Sequence, residues 1–78
     1  MVKYELYAEN DNIITYHYFP EGHEDYGTIT MDKKTADLVE VELAKSDKFK
    51  QYFYHMINEI EEFIEKGKYL KAGYVAWY

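Results

Sequence analysis

One segment, residues 46–66, constrains the fold of this chain more than any other. On a helical wheel at about 100° per residue, its apolar side chains occupy an arc of about 140°, which is wide enough to face a core. They are Phe49, Tyr52, Phe53, Met56, Ile57, Ile60, Phe63 and Ile64. The other positions are mostly polar or charged. This pattern predicts an amphipathic helix that needs a second layer to cover its apolar face.

Both ends of this predicted helix have residues that suit helix termini. Ser46 or Asp47 can cap the start, because a short side-chain oxygen accepts a free N–H group of the first turn. Gly67 can end the helix, because glycine readily takes the left-handed conformation found there. The sequence therefore predicts a helix over residues 46–66.

The first 20 residues have the pattern of a β-hairpin. Residues 2–9 alternate apolar and polar side chains, which is typical of a strand with one buried face. Residues 10–12 are Asn-Asp-Asn, a composition that favours a turn. Residues 13–19 are rich in β-branched and aromatic side chains and predict a second strand. Pro20 cannot donate to a ladder and should close that strand.

Two further strands are expected. Residues 26–31 predict a third strand after a short acidic loop at 21–25, and Gly27 suggests a bulge within it. Residues 74–78, YVAWY, predict a last strand, because aromatic and β-branched side chains favour extended chain.

The segment 36–44 fits two structures. Asp32 or Thr35 can cap a helix there, and the Ala, Leu, Glu and Lys residues in and around it are good helix formers. Residues 39–43 also alternate Val, Glu, Val, Glu and Leu, as a strand would. We expect a helix here. Its second apolar stripe, which would need cover from this fold or another chain, contains Leu38 and Val41.

These elements predict an α+β fold in the order β-β-β-α-α-β. Strands in one layer and helices in the other make a two-layer sandwich. We expect residues 1–78 to form a single compact α+β domain with a mostly antiparallel four-stranded sheet and two helices on one face. The last strand is expected beside the first, with a parallel pairing as one possibility.

Composition limits how such a short chain can be stabilised. The 78 residues contain no cysteine, so neither a disulfide nor a thiolate metal ligand can contribute. Ten Tyr, four Phe and one Trp offer large rings instead, each able to bury about 150–250 Å². We therefore expect an aromatic core.

The charge of the chain argues against nucleic acid as a partner. The formal net charge is −6, and all nine basic residues are Lys, so the side chain preferred for bidentate contacts with guanine or phosphate is missing. No apolar run reaches the roughly 18 residues of a membrane span, and the first ten residues lack an apolar signal region. We expect a cytoplasmic protein that binds neither nucleic acid nor membrane.

The sheet should leave one face uncovered. The side chains expected to face the helices are Val2, Tyr4, Leu6, Ile14, Tyr16, Tyr18, Ile29 and Met31. The open face would then carry Tyr7, Ile13, Thr15, His17, Phe19, Thr28 and Thr30, joined by Tyr74 and Tyr78 or by Val75 and Trp77. A large exposed apolar patch usually marks an interaction site, whereas Tyr and Thr are also ordinary residues of a solvated strand.

No catalytic, cofactor or metal site is predicted. His55, Glu59 and Glu62 share a helix face and could contribute metal ligands, but a charged solvent face explains them as well. His23 lies in the acidic loop, which lacks the ligand spacing of an EF-hand. No phosphate-binding glycine loop or nucleophile motif occurs.

The carboxylates of the long helix suggest a second role. Glu59, Glu61, Glu62 and Glu65 could imitate the phosphates that a basic, nucleic-acid-handling protein expects, as some phage-encoded inhibitors do. The simpler interpretation is the solvated side of an amphipathic helix, on which Glu62 and Lys66 lie one turn apart.

Taken together, the sequence predicts a small acidic binding module without enzymatic activity. Its partner would be another protein or a second copy in a homodimer, through the open sheet face or the spare helix stripe. The alternatives are the acidic inhibitor and a small-ligand or metal binder. The candidate interaction residues are Tyr7, Thr15, His17, Phe19, Thr28, Thr30, Leu38, Val41, Glu59 and Glu62.

Overall fold

A computed structural model describes residues 1–77 and has an α+β architecture. Over these residues, five antiparallel strands form one sheet and a single helix crosses one of its faces. The strands are β1 (Val2–Glu9), β2 (Ile13–Pro20), β3 (Gly27–Asp32), β4 (Leu38–Glu42) and β5 (Ala72–Val75), and the helix is α1 (Gln51–Lys66). No helix within the described residues is long and apolar enough to cross a membrane.

The strands are arranged in the order β4-β3-β2-β1-β5. The first four form a meander, and the helix returns the chain to the far side of β1. The predicted position of the last strand beside the first is therefore confirmed, but the pairing is antiparallel. The Leu6 N–H donates to the Lys71 carbonyl over 2.7 Å, so β5 begins near Leu6 and runs back toward Val2.

The last strand is also displaced along the chain from its predicted position. β5 covers Ala72–Val75, whereas residues 74–78 were expected. Tyr78 lies outside the described residues. Gly27, where a bulge was expected, pairs in regular register with Tyr18. A Cβ atom at Gly27 would overlap the Tyr18 ring, so the glycine makes room for that ring.

The predicted helix at 36–44 is wrong, because this segment forms strand β4. Asp32 Oδ1 accepts hydrogen bonds from the N–H groups of Lys34 and Thr35, as it would at a helix start, but here it stabilises a turn. Ala36 then takes a positive φ of 61°, which interrupts any helix. The alternating β-branched residues that follow pair with β3. The sheet thus gains a strand and the fold loses one predicted helix.

The long helix is confirmed, but it begins at Gln51 and not at Ser46. Lys50 has a left-handed backbone, with a φ of 60°, immediately before it. Asp47 still satisfies the helix start from a distance: its carboxylate accepts hydrogen bonds from the N–H groups of Tyr52 (3.2 Å) and Phe53 (2.9 Å). Gly67, with a φ of 67°, ends the helix as predicted.

The core lies between the helix and the face of the sheet that was predicted to be covered. All the side chains expected there are buried except Leu6, which is half-buried. From the helix, Phe53, Met56, Ile60 and Phe63 are buried against them. Phe49 was expected on the same stripe, but it precedes the helix and its side chain is 91% exposed.

Buried tyrosine hydroxyls tie the core to the connecting segments. Tyr16 donates to the Leu70 carbonyl over 2.7 Å. Tyr18 donates to Asp47 Oδ2 and accepts from the Ala44 N–H, both over 3.0 Å. These bonds satisfy the polar ends of rings that otherwise pack as apolar side chains.

We predict that Asp47→Ala lowers the free energy of unfolding by about 2–4 kcal/mol, because two helix N–H groups and the Tyr18 hydroxyl lose a buried acceptor. Urea denaturation measures the change. Asp47→Asn retains one acceptor oxygen and should lose less. Asp37→Ala, at an exposed carboxylate, should change the free energy by no more than about 0.5 kcal/mol. Equal losses in the Asp47 and Asp37 variants would contradict this role.

We also predict that the protein unfolds readily in alkali. Burial raises the pKa values of Tyr4, Tyr16 and Tyr18 in the folded protein, whereas an unfolded tyrosine ionises near pH 10, about its ordinary pKa. The buried tyrosines therefore contribute their full stabilisation below about pH 10. Above that pH, each of them should lower the free energy of unfolding by about 1.4 kcal/mol per pH unit.

Urea denaturation at a series of pH values around and above about pH 10 measures the free energy of unfolding and tests that prediction. Tyr16→Phe should make the decline shallower by the share of one tyrosine. Tyr74→Phe, at a ring that is 60% exposed, should leave the slope unchanged. A free energy of unfolding that stays constant through about pH 11 would refute the expectation.

Candidate interaction surfaces

Strand β4 forms one edge of the sheet and lies outside the area that the helix covers. The helix packs on β1, β2 and β5. All five residues of β4 are exposed, and Leu38, Val39 and Val41 keep 46%, 56% and 39% of their surface in contact with solvent. The strand thus presents apolar side chains that no described element covers.

The backbone of β4 is also available on its outer side. The strand is last in the sheet order and pairs only with β3 among the described strands. An edge strand offers unpaired N–H and C=O groups to any extended chain that approaches it. Its sequence, Leu-Val-Glu-Val-Glu, contains neither lysine nor proline, two residues that often protect such an edge, but it carries two negative charges.

The pairing of β4 with β3 places its charged and apolar residues on opposite faces. Glu40 and Glu42 pair with Thr30 and Thr28 on the open face. Val41 and Leu38 pair with the buried Ile29 and Met31, and so extend the helix side of the sheet. A bulge near Val39 shifts the register between these two halves.

The open face carries a row of stacked rings, which we call the aromatic row: Tyr7, His17, Tyr26 and Phe19. His17 stacks between Tyr7 and Tyr26, with ring centroids 4.3 and 4.4 Å away. Phe19 lies 5.7 Å from Tyr26. Tyr7 and Tyr26 are 67% and 50% exposed, so the row remains in contact with solvent.

Other residues expected on the open face differ in how much surface they offer. Thr15 and Thr30 share a hydrogen bond of 2.8 Å between their hydroxyl groups and are almost fully buried. Thr28 is half-buried. Tyr74 pairs with Lys3 and joins this face, whereas Val75 pairs with the buried Val2 on the other.

A cleft of about 320 Å³ lies beside the C-terminal half of the helix. It is lined by Glu59, Glu62, Phe63, Lys66, Lys68 and Leu70. Burial raises the pKa of Glu59, and the neighbouring Glu62 adds to the effect while Lys66 opposes it. The Lys66 ammonium forms an ion pair of 2.7 Å with Glu62. The acidic helix face is therefore partly neutralised and partly withdrawn from solvent.

Within residues 1–77, the histidines and carboxylates that were considered as metal ligands lie apart. The His55 ring stacks on Trp77, with centroids 3.7 Å apart, while Glu59 and Glu62 line the cleft. In the acidic loop, the Asp25 carboxylate accepts from the N–H groups at positions 45 and 46. Across residues 1–77, no three potential ligands form a group able to hold a metal ion.

Several residues of these surfaces were missed in the sequence. The predicted helix includes Glu40 and Glu42, although the alternation at 39–43 indicates one face of a strand for both. The position of Val39 could not be predicted from alternation, because the bulge near it arises from the pairing with β3. Tyr26 lies two residues before Thr28, so strand alternation would have placed it on the open face with Thr28.

We predict that Tyr7→Ala raises the pKa of His17. Burial between the two rings lowers this pKa, with Glu5 opposing the shift. Exposing one face of the imidazole to water should move it toward its ordinary value of about 6.5. Titration of the imidazole signals by NMR measures the change. Tyr74→Ala, on the same face but outside the stack, should have no effect, and an unchanged pKa in Tyr7→Ala would contradict the explanation.

Comparisons with known proteins identify no relative of this chain. No family model matches it, and neither the curated proteins nor the solved structures contain a match. The exposed edge, the aromatic row and the cleft are therefore the basis for considering its function.

Proposed function

We propose that this protein is a binding module without enzymatic activity, which receives an extended segment of a partner protein along strand β4. The observation that carries the proposal is the exposure of the whole strand at a sheet edge. Extended peptides add to such edges through main-chain hydrogen bonds, while alternate side chains supply specificity.

The expected affinity follows from the size of the site. Each new backbone hydrogen bond contributes about 0.5–1.5 kcal/mol net. Covering the half-exposed Leu38 and Val41 adds about 1 kcal/mol for each side chain. The ordering of the peptide opposes both contributions. A five-residue strand should therefore bind weakly, with a dissociation constant on the order of millimolar, which suits a reversible contact.

Charge argues against a second copy of this chain at the same edge. A two-fold antiparallel pair of β4 strands with full overlap is centred on Glu40, so the two Glu40 carboxylates would lie directly opposite one another. Like charges at such positions destabilise a sheet. A homodimer through the aromatic row is the alternative form of self-association. Sedimentation tests both forms of self-association, since a monomer is expected if neither surface pairs with a second copy.

The acidic inhibitor is a second proposal with weaker support. The net charge of −6 favours a basic partner. However, Glu62 is paired with Lys66 and Glu59 is half-buried in the lining of the cleft, so the helix offers fewer accessible carboxylates than its sequence suggests. Small-ligand or metal binding has no comparable support. We place the protein in the cytoplasm as part of the first proposal.

A soluble peptide of alternating Val and Thr tests the proposed function. Amide signals of the isotope-labelled protein should shift along β4 when the peptide is added, and the β4 amides should exchange more slowly with solvent. Leu38→Lys combined with Val41→Lys should weaken binding at least about tenfold, because the substitutions remove the two apolar side chains that a bound strand would cover. Ala72→Lys combined with Tyr74→Lys, at exposed positions of the opposite edge, is the matched control. Shifts confined to β5 or to the helix, or no shift at all, would refute the proposal.

A further inference from the structure

The two carboxylates on β4 indicate what kind of segment the edge receives. We infer that it carries Lys or Arg at every second position, with apolar residues between them. This inference rests on the proposed function, since it assumes that an extended chain pairs with β4.

The spacing of the two glutamates matches the repeat of a strand. Glu40 and Glu42 lie two residues apart on one face, beyond the bulge, where the pairing with β3 is regular. Alternate residues on one face of a strand are about 7 Å apart. A partner strand has the same repeat, and its directly opposed Cβ atoms lie about 4.5–5.5 Å away. Two of its side chains on this face therefore approach Glu40 and Glu42 together.

Both carboxylates are free to accept such a partner. Neither forms an ion pair within residues 1–77, in contrast to Glu9, which contacts Lys33, and Glu62, which contacts Lys66. Their neighbours across β3 are the uncharged Thr30 and Thr28. An added strand with basic side chains can therefore supply the positive charge that Glu40 and Glu42 lack.

The other face of β4 determines what lies between the basic residues. Leu38 and Val41 continue the buried row of Met31 and Ile29, but are themselves 46% and 39% exposed. Apolar side chains at the intermediate positions of the partner would cover them. The combined pattern, apolar and basic in alternation, fits both faces of the edge, whereas a uniformly basic or uniformly apolar segment fits only one.

Three soluble peptides of equal length test this pattern: Val alternating with Lys, with Thr and with Glu. The Lys peptide should bind about tenfold more tightly than the Thr peptide at low salt, since each cross-strand charge pair contributes a factor of about two to five. The Glu peptide should bind most weakly. The advantage of Lys should shrink in about 1 M salt, where exposed charges are screened. A peptide with the same residues but all Lys at one end should lose much of that advantage.

Charge reversal locates the effect on the protein. Glu40→Lys combined with Glu42→Lys should invert the order, so that the Glu peptide binds best. Glu61→Lys combined with Glu65→Lys changes the total charge equally at exposed positions on the helix, and should preserve the original order. Equal inversion by both pairs of substitutions would overturn the inference, because net charge alone would then decide affinity.

The outcomes separate this inference from the proposed function. If the Lys and Thr peptides protect the β4 amides with equal affinity, edge binding stands and the basic pattern is wrong. If none of the three peptides protects β4, both proposals fail.

Discussion

The buried carboxylate of Asp47 joins the two layers of this protein. It accepts hydrogen bonds from the Tyr18 hydroxyl on β2 and from two N–H groups at the start of the helix. Tyr18 in turn accepts from Ala44, so the segment that leaves β4 is attached to the middle of the sheet. Because the helix starts there, it lies over β1, β2 and β5. Strand β4 is exposed because the helix, which Asp47 attaches to the sheet, packs on these three strands and leaves β4 uncovered.

The same arrangement explains how a short chain without cysteine builds its core. Tyr4, Tyr16 and Tyr18 are almost completely buried. Tyrosine supplies a large apolar ring, and its hydroxyl can reach backbone or side-chain groups at the edge of the core. Tyr16 and Tyr18 use their hydroxyls in this way to hold the segments on either side of the helix. Aromatic volume and polar attachment are combined in the same residues.

Local pattern predicted most of the sheet and the long helix, because each of these elements buries one regular face. Residues 36–44 could not be assigned in this way, since their good helix formers and their alternation favour different structures. Pairing with β3 decides between them, and that contact is distant in the sequence. Alternation also separates the residues of the open face from those of the core, but the burial of Thr15 and Thr30 and the stacking of Tyr26 depend on how strands meet. The candidates Leu38 and Val41 were expected on a helix stripe that needs cover from this fold or another chain, and they lie instead on a strand, where both are exposed.

The bulge near Val39 affects what can happen after a strand has been added to β4. It separates the register of Leu38 from that of Glu40 and increases the local twist of the edge. A chain that pairs with the regular part of β4 would itself become twisted. The outer edge of that chain would then be twisted as well. Sheets that polymerise without limit need flat, repeating edges. The irregularity should therefore oppose the growth of fibrils from any segment that pairs with this edge.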